Sequence, residues 1–256
     1  MKIFYFTATG NGLYVAKRIG GELLSIPKML QEGRSTFADD AIGFVFPCYG
    51  FGLPRQVIEF LRKSRFTAGY FFAVMTYGNK AAAGLRHIEN VGRASGIQFD
   101  YTNEIVMIDT YLPLFKIEDQ LKKEPAKHIE EKLAKIVSDI DNRRKMLTRK
   151  GTASRIFSKL IYNFFTERQF DAGDKQFIVH TNCNRCKTCE KVCPKGNIKV
   201  EAAPVFLHQC DGCYACIHHC PQTAIHLKAE RSSARFINQN VKLQEIIDAN
   251  NQTTTK

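Results

Sequence analysis

Eight of the nine cysteines in this 256-residue chain lie between Cys183 and Cys220. So many thiols in so short a segment require disulfides or metal, and this limits the folds available to it. Only four apolar residues follow Lys2, whereas the core of a secretory signal needs roughly 7–15. No apolar run approaches the roughly 18 residues of a membrane span. We therefore expect a cytoplasmic protein without a membrane span, whose clustered thiols stay reduced and act as metal or cluster ligands.

The cysteines form an internal repeat. CNRCKTCEKVCPKGNIKV, starting at Cys183, aligns with CDGCYACIHHCPQTAIHL, starting at Cys210, at an offset of 27 residues. Each half reads C-x2-C-x2-C-x3-C-P, the spacing of bacterial ferredoxins with two [4Fe–4S] clusters, in which the fourth cysteine of each run ligates the other cluster. This spacing predicts two sets of ligands. The first thiol set is Cys183, Cys186, Cys189 and Cys220. The second thiol set is Cys210, Cys213, Cys216 and Cys193.

Two other kinds of thiol site fit the repeat less well. A zinc ribbon needs only two C-x-x-C pairs, so the third cysteine and the proline of each half are surplus to it. A catalytic dithiol needs only one such pair. His218 and His219 precede Cys220, and we expect them to be loop residues because the thiol sets are already complete.

The two halves of the repeat differ between their ligands. Between its first two cysteines the second half has Gly212, where the first half has Arg185. Lys187 directly follows the second cysteine of the first half. Cationic side chains stabilise the reduced, more negative state of a cluster. Our hypothesis is that the cluster nearer Arg185 and Lys187 has the higher reduction potential.

Short apolar runs alternate with helical spacing over residues 1–115. Four runs have the length and the β-branched or aromatic composition of buried strands. Segments with helical periodicity lie between them, and this alternation predicts an α/β fold with a parallel sheet covered on both faces. The predicted strands are Ile3–Phe6, Ile42–Pro47, Tyr70–Thr76 and Ile105–Asp109; the predicted helices are Leu13–Leu24, Gln56–Lys63 and Ala81–Ser95.

Residues 116–170 read as helical. One apolar stripe predicts a long helix that Pro125 starts or kinks, and a second, shorter apolar face follows it. Residues 142–155 between them carry six basic side chains and no acidic one; they form either a solvated helix end or a docking patch for an acidic redox partner. The stripe is Leu121, Ile129, Leu133, Ile136, Val137, Ile140 and Leu147, and the second face is Ile156, Leu160, Ile161, Phe164 and Phe165.

A turn rich in threonine and glycine follows the first predicted strand. Thr7-Ala8-Thr9-Gly10-Asn11-Gly12 lacks the glycine pattern of a dinucleotide fold and the lysine of a nucleoside-triphosphate loop. Its hydroxyls, its backbone N–H groups and the following helix terminus suit one phosphate group held by neutral donors. Helix capping is the simpler explanation of such a turn.

Two further loops combine aromatic residues with glycine. They follow the second and third predicted strands, and ligands of parallel sheets bind at this edge. Glycine lets the backbone approach a flat ring on which an aromatic side chain stacks, so the three loops together predict a site for flavin mononucleotide (FMN). Cys48 lies in one loop without a partner histidine nearby, and we do not predict it as a nucleophile. The predicted flavin residues are Thr7, Thr9, Gly10, Asn11, Gly12, Pro47, Tyr49, Gly50, Phe51, Thr76, Tyr77, Gly78 and Asn79.

With these motifs, the chain resembles the flavodoxin–ferredoxin fusion family known as "EFR-type ferrodoxin". The resemblance rests on the loop at 7–12, PCYGFGLP at 47–54, TYGNK at 76–80, the eight cysteines and RFINQNVKLQEII near the carboxyl end. It implies a flavodoxin-like, doubly wound sheet of order 2-1-3-4-5 and a small α+β ferredoxin-like domain. The phosphate loop of that family usually reads S-G-T-G-N-S, from which this chain departs at Ala8 and Gly12.

These features predict four segments along the chain. Residues 1–115 would form the flavodoxin-like domain and 116–175 a helical extension packed on it. The two-cluster domain would occupy 176–228, and a carboxyl-terminal helix near 238–249 would end in a frayed tail from Asn250.

The combination predicts an electron-transfer protein that relays electrons between FMN and two clusters, to or from protein partners. The formal charge is +12, and about +6 remains after roughly −2 for each cluster and for the flavin phosphate, which favours acidic partners over nucleic acid. One alternative is a flavin-dependent oxidoreductase that acts on a small molecule through the clusters, although no acid–base pair points to one. Another is a zinc-binding interaction module.

Overall fold

A computed structural model describes residues 1–149, 151–165 and 173–253. The amino-terminal part alternates strands and helices, as predicted. Its elements are β1 (Lys2–Tyr5), α1 (Asn11–Ile19), β2 (Glu22–Ser25), α2 (Ile26–Gln31), β3 (Thr36–Ala38), β4 (Ala41–Pro47), α3 (Arg55–Lys63), β5 (Arg65–Thr67), β6 (Tyr70–Tyr77), α4 (Gly84–Ala94) and β7 (Tyr101–Val106).

The remaining elements are shorter on average. They are α5 (Ile117–Lys122), α6 (Ile129–Asp141), β8 (Met146–Leu147), α7 (Thr152–Phe165), β9 (Phe177–Val179), α8 (Thr188–Lys191), β10 (Ile198–Val200), β11 (Pro204–Phe206), α9 (Ala215–His218), β12 (Ile225–Leu227) and α10 (Leu243–Asn250). Single 3₁₀ turns cover Pro125–Lys127 and Gly173–Gln176. Within the described ranges, no helix combines the length and the apolar character needed to cross a membrane.

The main sheet is parallel throughout, in the order β2-β1-β4-β6-β7-β8. Counted by its five long strands, this is the expected flavodoxin-like order 2-1-3-4-5, extended by the short β8. Strands β3 and β5 pair separately. The fold class is therefore confirmed as a doubly wound α/β sheet.

Apolar residues cover both faces of this sheet. On one face, Ile3 and Val45 pack with residues of α1 and α6, such as Val15 and Leu133. On the other face, buried phenylalanines of β1 and β4 pack against α3 and α4. Burial on both faces explains why β4 reads as a continuous apolar run.

Three sequence predictions in the amino-terminal half need correction. Helix α1 ends at Ile19, because Gly20 and Gly21 both have positive φ, and Glu22–Ser25 is a strand instead of the end of a helix. The fourth predicted strand, placed at Ile105–Asp109, lies instead at Tyr101–Val106.

The predicted long helix is also interrupted. Pro125 begins a 3₁₀ turn, His128 has a φ of 50°, and a separate α6 follows, so Leu121 and Leu147 belong to other elements. Leu147 lies in β8, which pairs with β7. The apolar periodicity of this region is real, but a proline and a left-handed residue divide it.

Four of the six basic side chains of residues 142–155 form ion pairs at the surface, which leaves both interpretations of this segment open. Arg143, Arg144, Lys145 and Arg149 make ion pairs with Asp40, Asp139, Asp100 and Glu89 respectively. These four cations therefore pair with carboxylates of the fold on either side of β8. Lys150 and the side chain of Arg155 lie outside the described residues.

Helix α7 presents an apolar face to solvent. Ile156, Leu160 and Phe164 are exposed, so the predicted second apolar face is not buried against the rest of the described chain. The helix is attached through other residues: Ser158 accepts a hydrogen bond from Ala83 N–H at 2.9 Å, and Tyr162 donates one to the Leu53 carbonyl at 2.9 Å. The side chain of Phe165 lies outside the described residues.

The cysteine repeat folds into two small antiparallel pairs, β10–β11 and β9–β12, with the short helices α8 and α9. Helix α10 then returns to the main sheet, where Ser25 Oγ donates to the Ala249 carbonyl. The tail was predicted to fray from Asn250, and this is wrong for 250–253: Asn250 is fully buried, and Lys28 and Gln31 donate to the carbonyls of the next two residues. Residues 254–256 lie outside the described part.

Candidate functional site

The two halves of the repeat adopt the same local backbone. Lys187 and Tyr214, 27 residues apart, both precede their helix in the left-handed conformation, with φ of 61° and 58°. Arg185 and Gly212 form a second matched pair, with φ of 59° and 63°. The internal repeat is thus a repeat of backbone geometry as well as of sequence.

Backbone N–H groups approach the fourth cysteine of each half in matching positions. Asn197 N–H donates to Cys193 Sγ at 3.3 Å, and Ala224 N–H donates to Cys220 Sγ at 3.2 Å. Hydrogen bonds to sulfur stabilise the reduced state of a thiolate-bound cluster.

The first thiol set is brought together. Burial raises the pKa of Cys189 to about 12, and the nearby thiols of Cys220, Cys186 and Cys183 add to this increase. Those four residues also line one small recess in the surface. Cys220 lies distant in sequence from the other three, so the fold supplies it from the second half.

The second thiol set is brought together in the same way. Burial raises the pKa of Cys216 well above its usual value, and the nearby thiols of Cys210, Cys213, Cys193 and Cys189 add to this increase. The residues present thus offer two groups of four thiols, which suits the donor chemistry of two iron–sulfur clusters. The influence of Cys189 on Cys216 indicates where the two groups meet.

Solvent exposure distinguishes the two sets. In the first set Cys186 is exposed, and Arg185 and Lys187 on either side of it are exposed too. In the second set no cysteine is exposed, and Cys193 and Cys216 are buried. The first set therefore faces solvent and the second faces the protein. Within the described chain, no three His, Cys, Asp or Glu side chains lie close enough together to hold a single metal ion.

A cavity of about 340 Å³ opens at the carboxyl edge of the main sheet. This size falls within the roughly 300–1,000 Å³ typical of sites for small ligands. All the predicted flavin residues except Gly10 line it; a Cβ on Gly10 would instead lie 2.9 Å from Asn238 Cβ. The lining residues from the prediction are Thr7, Thr9, Asn11, Gly12, Pro47, Tyr49, Gly50, Phe51, Thr76, Tyr77, Gly78 and Asn79.

The turn at 7–12, which we call the phosphate loop, is folded tightly at one wall of the cavity. Thr7 and Thr9 are buried, Gly10 N–H donates to Thr7 Oγ1 at 3.2 Å, and α1 begins at Asn11. Buried hydroxyls beside a helix N-terminus fit a phosphate held without a cation.

The two departures from the family pattern have structural explanations. A Cβ on Gly12 would lie 2.4 Å from the Phe6 carbonyl oxygen, so serine does not fit this backbone. Ala8 does not have a positive φ, so its position does not require glycine.

The loop at 47–54 turns sharply. Gly50 and Phe51 both have positive φ, and Tyr49 and Gly52 exchange backbone hydrogen bonds across the turn. Helix α7 covers its outer side, where a Cβ on Gly52 would lie 2.3 Å from the Tyr162 ring. The loop thus holds Tyr49 and Phe51 at the cavity wall.

Asp109 and Lys127 support the loop at 76–80. A Cβ on Gly78 would lie 2.2 Å from Asp109 Cβ, so only glycine fits there. Lys127 is buried and donates to the carbonyls of Met107 and Gly78. Burial lowers the pKa of Lys127, and the nearby Asp109 carboxylate partly opposes this.

Sequence reasoning missed several cavity residues. Tyr111 follows β7, and its ring stacks on Tyr214 with centroids 5.8 Å apart. Applying the strand-end rule to the fourth predicted strand would have found it. Gly212, Cys213 and Tyr214 of the second cysteine half also line the cavity, and no sequence pattern shows that this loop reaches the sheet. The other missed residues are Phe6, Ala8, Cys48, Lys80, Met107, Ile108, Asp109, Thr110, Leu114, Phe115 and Ile161.

His218 and His219 were predicted to be loop residues, but both are buried at the end of α9. His218 Nε2 donates to the Thr110 carbonyl at 3.0 Å and its Nδ1 accepts from Phe236 N–H; His219 Nε2 donates to the Ala8 carbonyl at 3.0 Å. Burial lowers the pKa of both rings, to about 4 for His218. These neutral histidines connect the cysteine repeat to two loops of the cavity.

Comparison with known proteins supports part of this assignment. Residues 175–221, which include all eight clustered cysteines, match the family model described as "4Fe-4S dicluster domain". Over 64 residues the chain is 41% identical to one component of the ion-translocating oxidoreductase complex of Methanosarcina acetivorans. That alignment covers 24% of this chain and 24% of the relative, so the chain spans about a quarter of that protein's length.

Two solved structures resemble part of the chain. A candidate flavoprotein from Bacteroides uniformis is 15% identical, with 42% of this chain and 90% of that chain covered and a TM-score of 0.33. The Trp repressor binding protein of Bacillus subtilis is 13% identical, with 57% and 99% covered and a TM-score of 0.36. Similarity at this level carries no argument about ligands.

The chain therefore combines a flavodoxin-like sheet with a small ferredoxin-like 4Fe–4S domain, an architecture for redox electron transfer.

Proposed function

We propose that this protein relays electrons between bound FMN and two [4Fe–4S] clusters, to or from protein redox partners. One observation carries the proposal: Gly212, Cys213 and Tyr214 of the second cysteine half line the same cavity as the phosphate loop. A ligand in this cavity would lie directly against a cluster-binding loop. The chain would be a member of the flavodoxin–ferredoxin fusion family.

In this proposal the two thiol sets are the cluster ligands, with Cys193 and Cys220 exchanged between the halves. The grouping of the thiols around Cys189 and around Cys216 supports this assignment. The proximity of Cys189 to Cys216 would bring the two clusters together, so that electrons cross from one to the other within the domain.

The predicted flavin residues would hold FMN, together with Tyr111 and Tyr214. The Thr7 and Thr9 hydroxyls and the start of α1 would receive the phosphate, because they combine neutral donors with the positive end of a helix dipole. Tyr49, Phe51 and Tyr77 would border the ring system. The cofactors supply the chemistry, a two-electron carrier beside one-electron carriers, and the protein orients them.

The direction of the relay follows from exposure. Cys213 of the second thiol set lines the cavity, whereas Cys186 of the first set faces solvent. A protein partner would therefore exchange electrons at the first set. Exposed Arg185, Lys187 and Lys191 surround that position and favour an acidic partner surface.

The proposal also includes the expected segment boundaries and the expected cellular location. The segments 1–115, 116–175, 176–228 and 229–256 would be its structural units, with 116–175 as the helical extension. Reduced, cluster-binding thiols favour the cytoplasm as its location.

The test is anaerobic reconstitution of the full chain with iron, sulfide and FMN, followed by reductive titration. We expect a flavin absorption band and two cluster signals by electron paramagnetic resonance, all titrating in one protein. Clusters without stoichiometric flavin would mean that the protein is a ferredoxin with a structural partner domain. Bound zinc and no acid-labile sulfide would overturn the proposal.

A further inference from the structure

Three consecutive carbonyls of the phosphate loop accept hydrogen bonds from outside the main sheet domain. The Thr7 carbonyl accepts from Asn250 Nδ2 at 2.9 Å, the Ala8 carbonyl from His219 Nε2 at 3.0 Å, and the Thr9 carbonyl from Asn238 N–H at 2.9 Å. We call the three donor residues, Asn238, His219 and Asn250, the carbonyl clamp. Among the described residues that line the cavity, none belongs to this clamp.

The clamp determines which way the loop directs its N–H groups. In a planar trans peptide the carbonyl and the N–H point in opposite directions. Because the Thr7 and Ala8 carbonyls turn towards the clamp, the N–H groups of Ala8 and Thr9 turn away from it, and both of these residues line the cavity. The next N–H, that of Gly10, is bonded to Thr7 Oγ1. The clamp therefore orients the donors that a phosphate would need.

Two clamp side chains are held at a cost. His219 and Asn250 are buried, yet His219 Nδ1 and Asn250 Oδ1 have no hydrogen-bond partner within the described chain. A buried acceptor left unpaired is unfavourable. General satisfaction of polar groups thus does not explain these side chains, whereas their donation to the phosphate loop does.

The same two side chains connect the loop to both thiol sets. His219 immediately precedes Cys220, the fourth cysteine of the second half. Asn250 Nδ2 also lies 3.3 Å from the Val192 carbonyl, and Val192 immediately precedes Cys193, the fourth cysteine of the first half. Each connection leads to one of the two cysteines that are exchanged between the proposed clusters.

We propose that cluster loading and phosphate binding are thermodynamically coupled through the carbonyl clamp, with His219 and Asn250 as positioning residues of the flavin site. This rests on the proposed function above. The clusters fix Cys193 and Cys220, these cysteines fix the clamp, and the clamp fixes the phosphate loop. Because coupling is reciprocal, bound FMN stabilises the loaded state of the clusters to the same degree.

The test compares FMN with riboflavin, which has the same ring and no phosphate. Flavin-free full-length protein is prepared with clusters and after chelation, and both forms are titrated anaerobically by flavin fluorescence. We expect cluster loss to weaken FMN binding about 10-fold or more, within the usual range of allosteric coupling, and riboflavin binding by less than about 3-fold. General loosening of the cavity would weaken both flavins alike, and that result would overturn the proposal.

Variants of the cluster-loaded protein test the same coupling without chelation. His219→Leu and Asn250→Ala should weaken FMN binding selectively at unchanged iron content, whereas His219→Gln, which keeps a donor near Nε2, should bind FMN like the wild type. Asn240→Ala is the matched control, because Asn240 is exposed and lies only two residues after the clamp residue Asn238. Equal FMN affinity in all these proteins would overturn the coupling and leave the proposed function intact. Failure of the wild type to bind either flavin would overturn the proposed function itself.

Discussion

The two halves of the cysteine repeat share a backbone and differ in their surroundings. Arg185 and Lys187 of the first half are exposed to solvent, whereas Gly212 and Tyr214 at the equivalent positions line the cavity at the edge of the main sheet. The cysteine spacing sets the geometry of each thiol group. The residues between the cysteines decide whether that group meets solvent or the rest of the protein.

This difference indicates a division of labour. Tyr214 stacks on Tyr111 of the main sheet domain, and Gln56 Nε2 of α3 donates to Asp211 Oδ2 at 3.1 Å. These two contacts attach the second half to the main sheet domain. The first half has Lys187 and Asn184 in those places, and both are exposed. In the proposed relay the second half receives electrons from within, and the first exchanges them with partners.

The largest test of this comparison removes one ligand from each half. Cys186→Ala and Cys213→Ala should each lose about half of the iron, because each interrupts one four-iron set. Only Cys213→Ala should also stop electron exchange between flavin and the remaining cluster. Iron and sulfide analysis with a reductive titration measures both effects, and Cys48→Ala, outside the repeat, is the control for iron content. Equal exchange in the two variants would contradict the inner and outer assignment.

The second test compares Tyr214 with its counterpart Lys187. Tyr214 is buried and packs against Tyr111 and Phe177. Tyr214→Ala should lower the free energy of unfolding by about 3 kcal/mol, typical for loss of a buried aromatic ring, and Lys187→Ala by less than about 0.5 kcal/mol. Anaerobic thermal unfolding of both variants measures the difference. Similar unfolding temperatures would mean that the second half is not anchored through this ring.

A pH dependence should arise at the loop at 47–54, which contacts His87. Burial, and secondarily Arg62, lowers the pKa of His87 to about 4, and His87 Nδ1 accepts from Leu53 N–H in the loop that carries Tyr49. The unfolded chain, with a histidine pKa of about 6.5, then binds more protons than the folded chain between pH 6.5 and 4. The stability due to neutral His87 is therefore complete above pH 6.5 and is lost as the pH falls towards 4.

His87→Asn keeps an acceptor and removes this titration. We expect the wild type to lose a few kcal/mol relative to this variant between pH 7 and 4.5, measured by anaerobic denaturation at intervals of pH. Parallel stability curves for the two proteins would show that His87 does not titrate in this range.

The smallest effects come from substitutions in the matched pair of Arg185 and Gly212. Arg185 holds a left-handed φ of 59°, at a cost of about 1 kcal/mol that glycine would avoid. Arg185→Gly should raise the unfolding temperature by about 2–4 °C and lower the reduction potential of the first-set cluster, since a cation is removed. Gly212→Ala should lower the unfolding temperature instead. Unchanged potentials in Arg185→Gly would refute the hypothesis that Arg185 raises the first potential.

The sequence predicted the elements whose physics is local. Strand β4 and strand β6 were found because burial on both faces leaves a continuous apolar run. The residues lining the cavity at three loops were found because the carboxyl ends of parallel strands share one edge. The grouping of the eight thiols into two sets was predicted from their spacing alone. The geometry supports that grouping, and its role as cluster ligands remains a prediction.

The features that sequence missed depend on contacts between distant segments. Strand β2 is short and its apolar residues continue the spacing of α1, so only pairing with β1 distinguishes it. The buried state of Asn250 was missed because its partners, Thr7 and Val192, lie 243 and 58 residues away. Polar terminal residues read as solvated until the fold brings acceptors to them.

The exposure of Cys186 also determines how this molecule would age in air. Dioxygen and peroxide reach a cluster through its most accessible edge, which here belongs to the first thiol set. Oxidative damage would therefore begin at the outer cluster and spare the inner one for a time. In the proposed relay, aerobically handled protein should pass through a half-bleached stage that retains a single intact four-iron cluster.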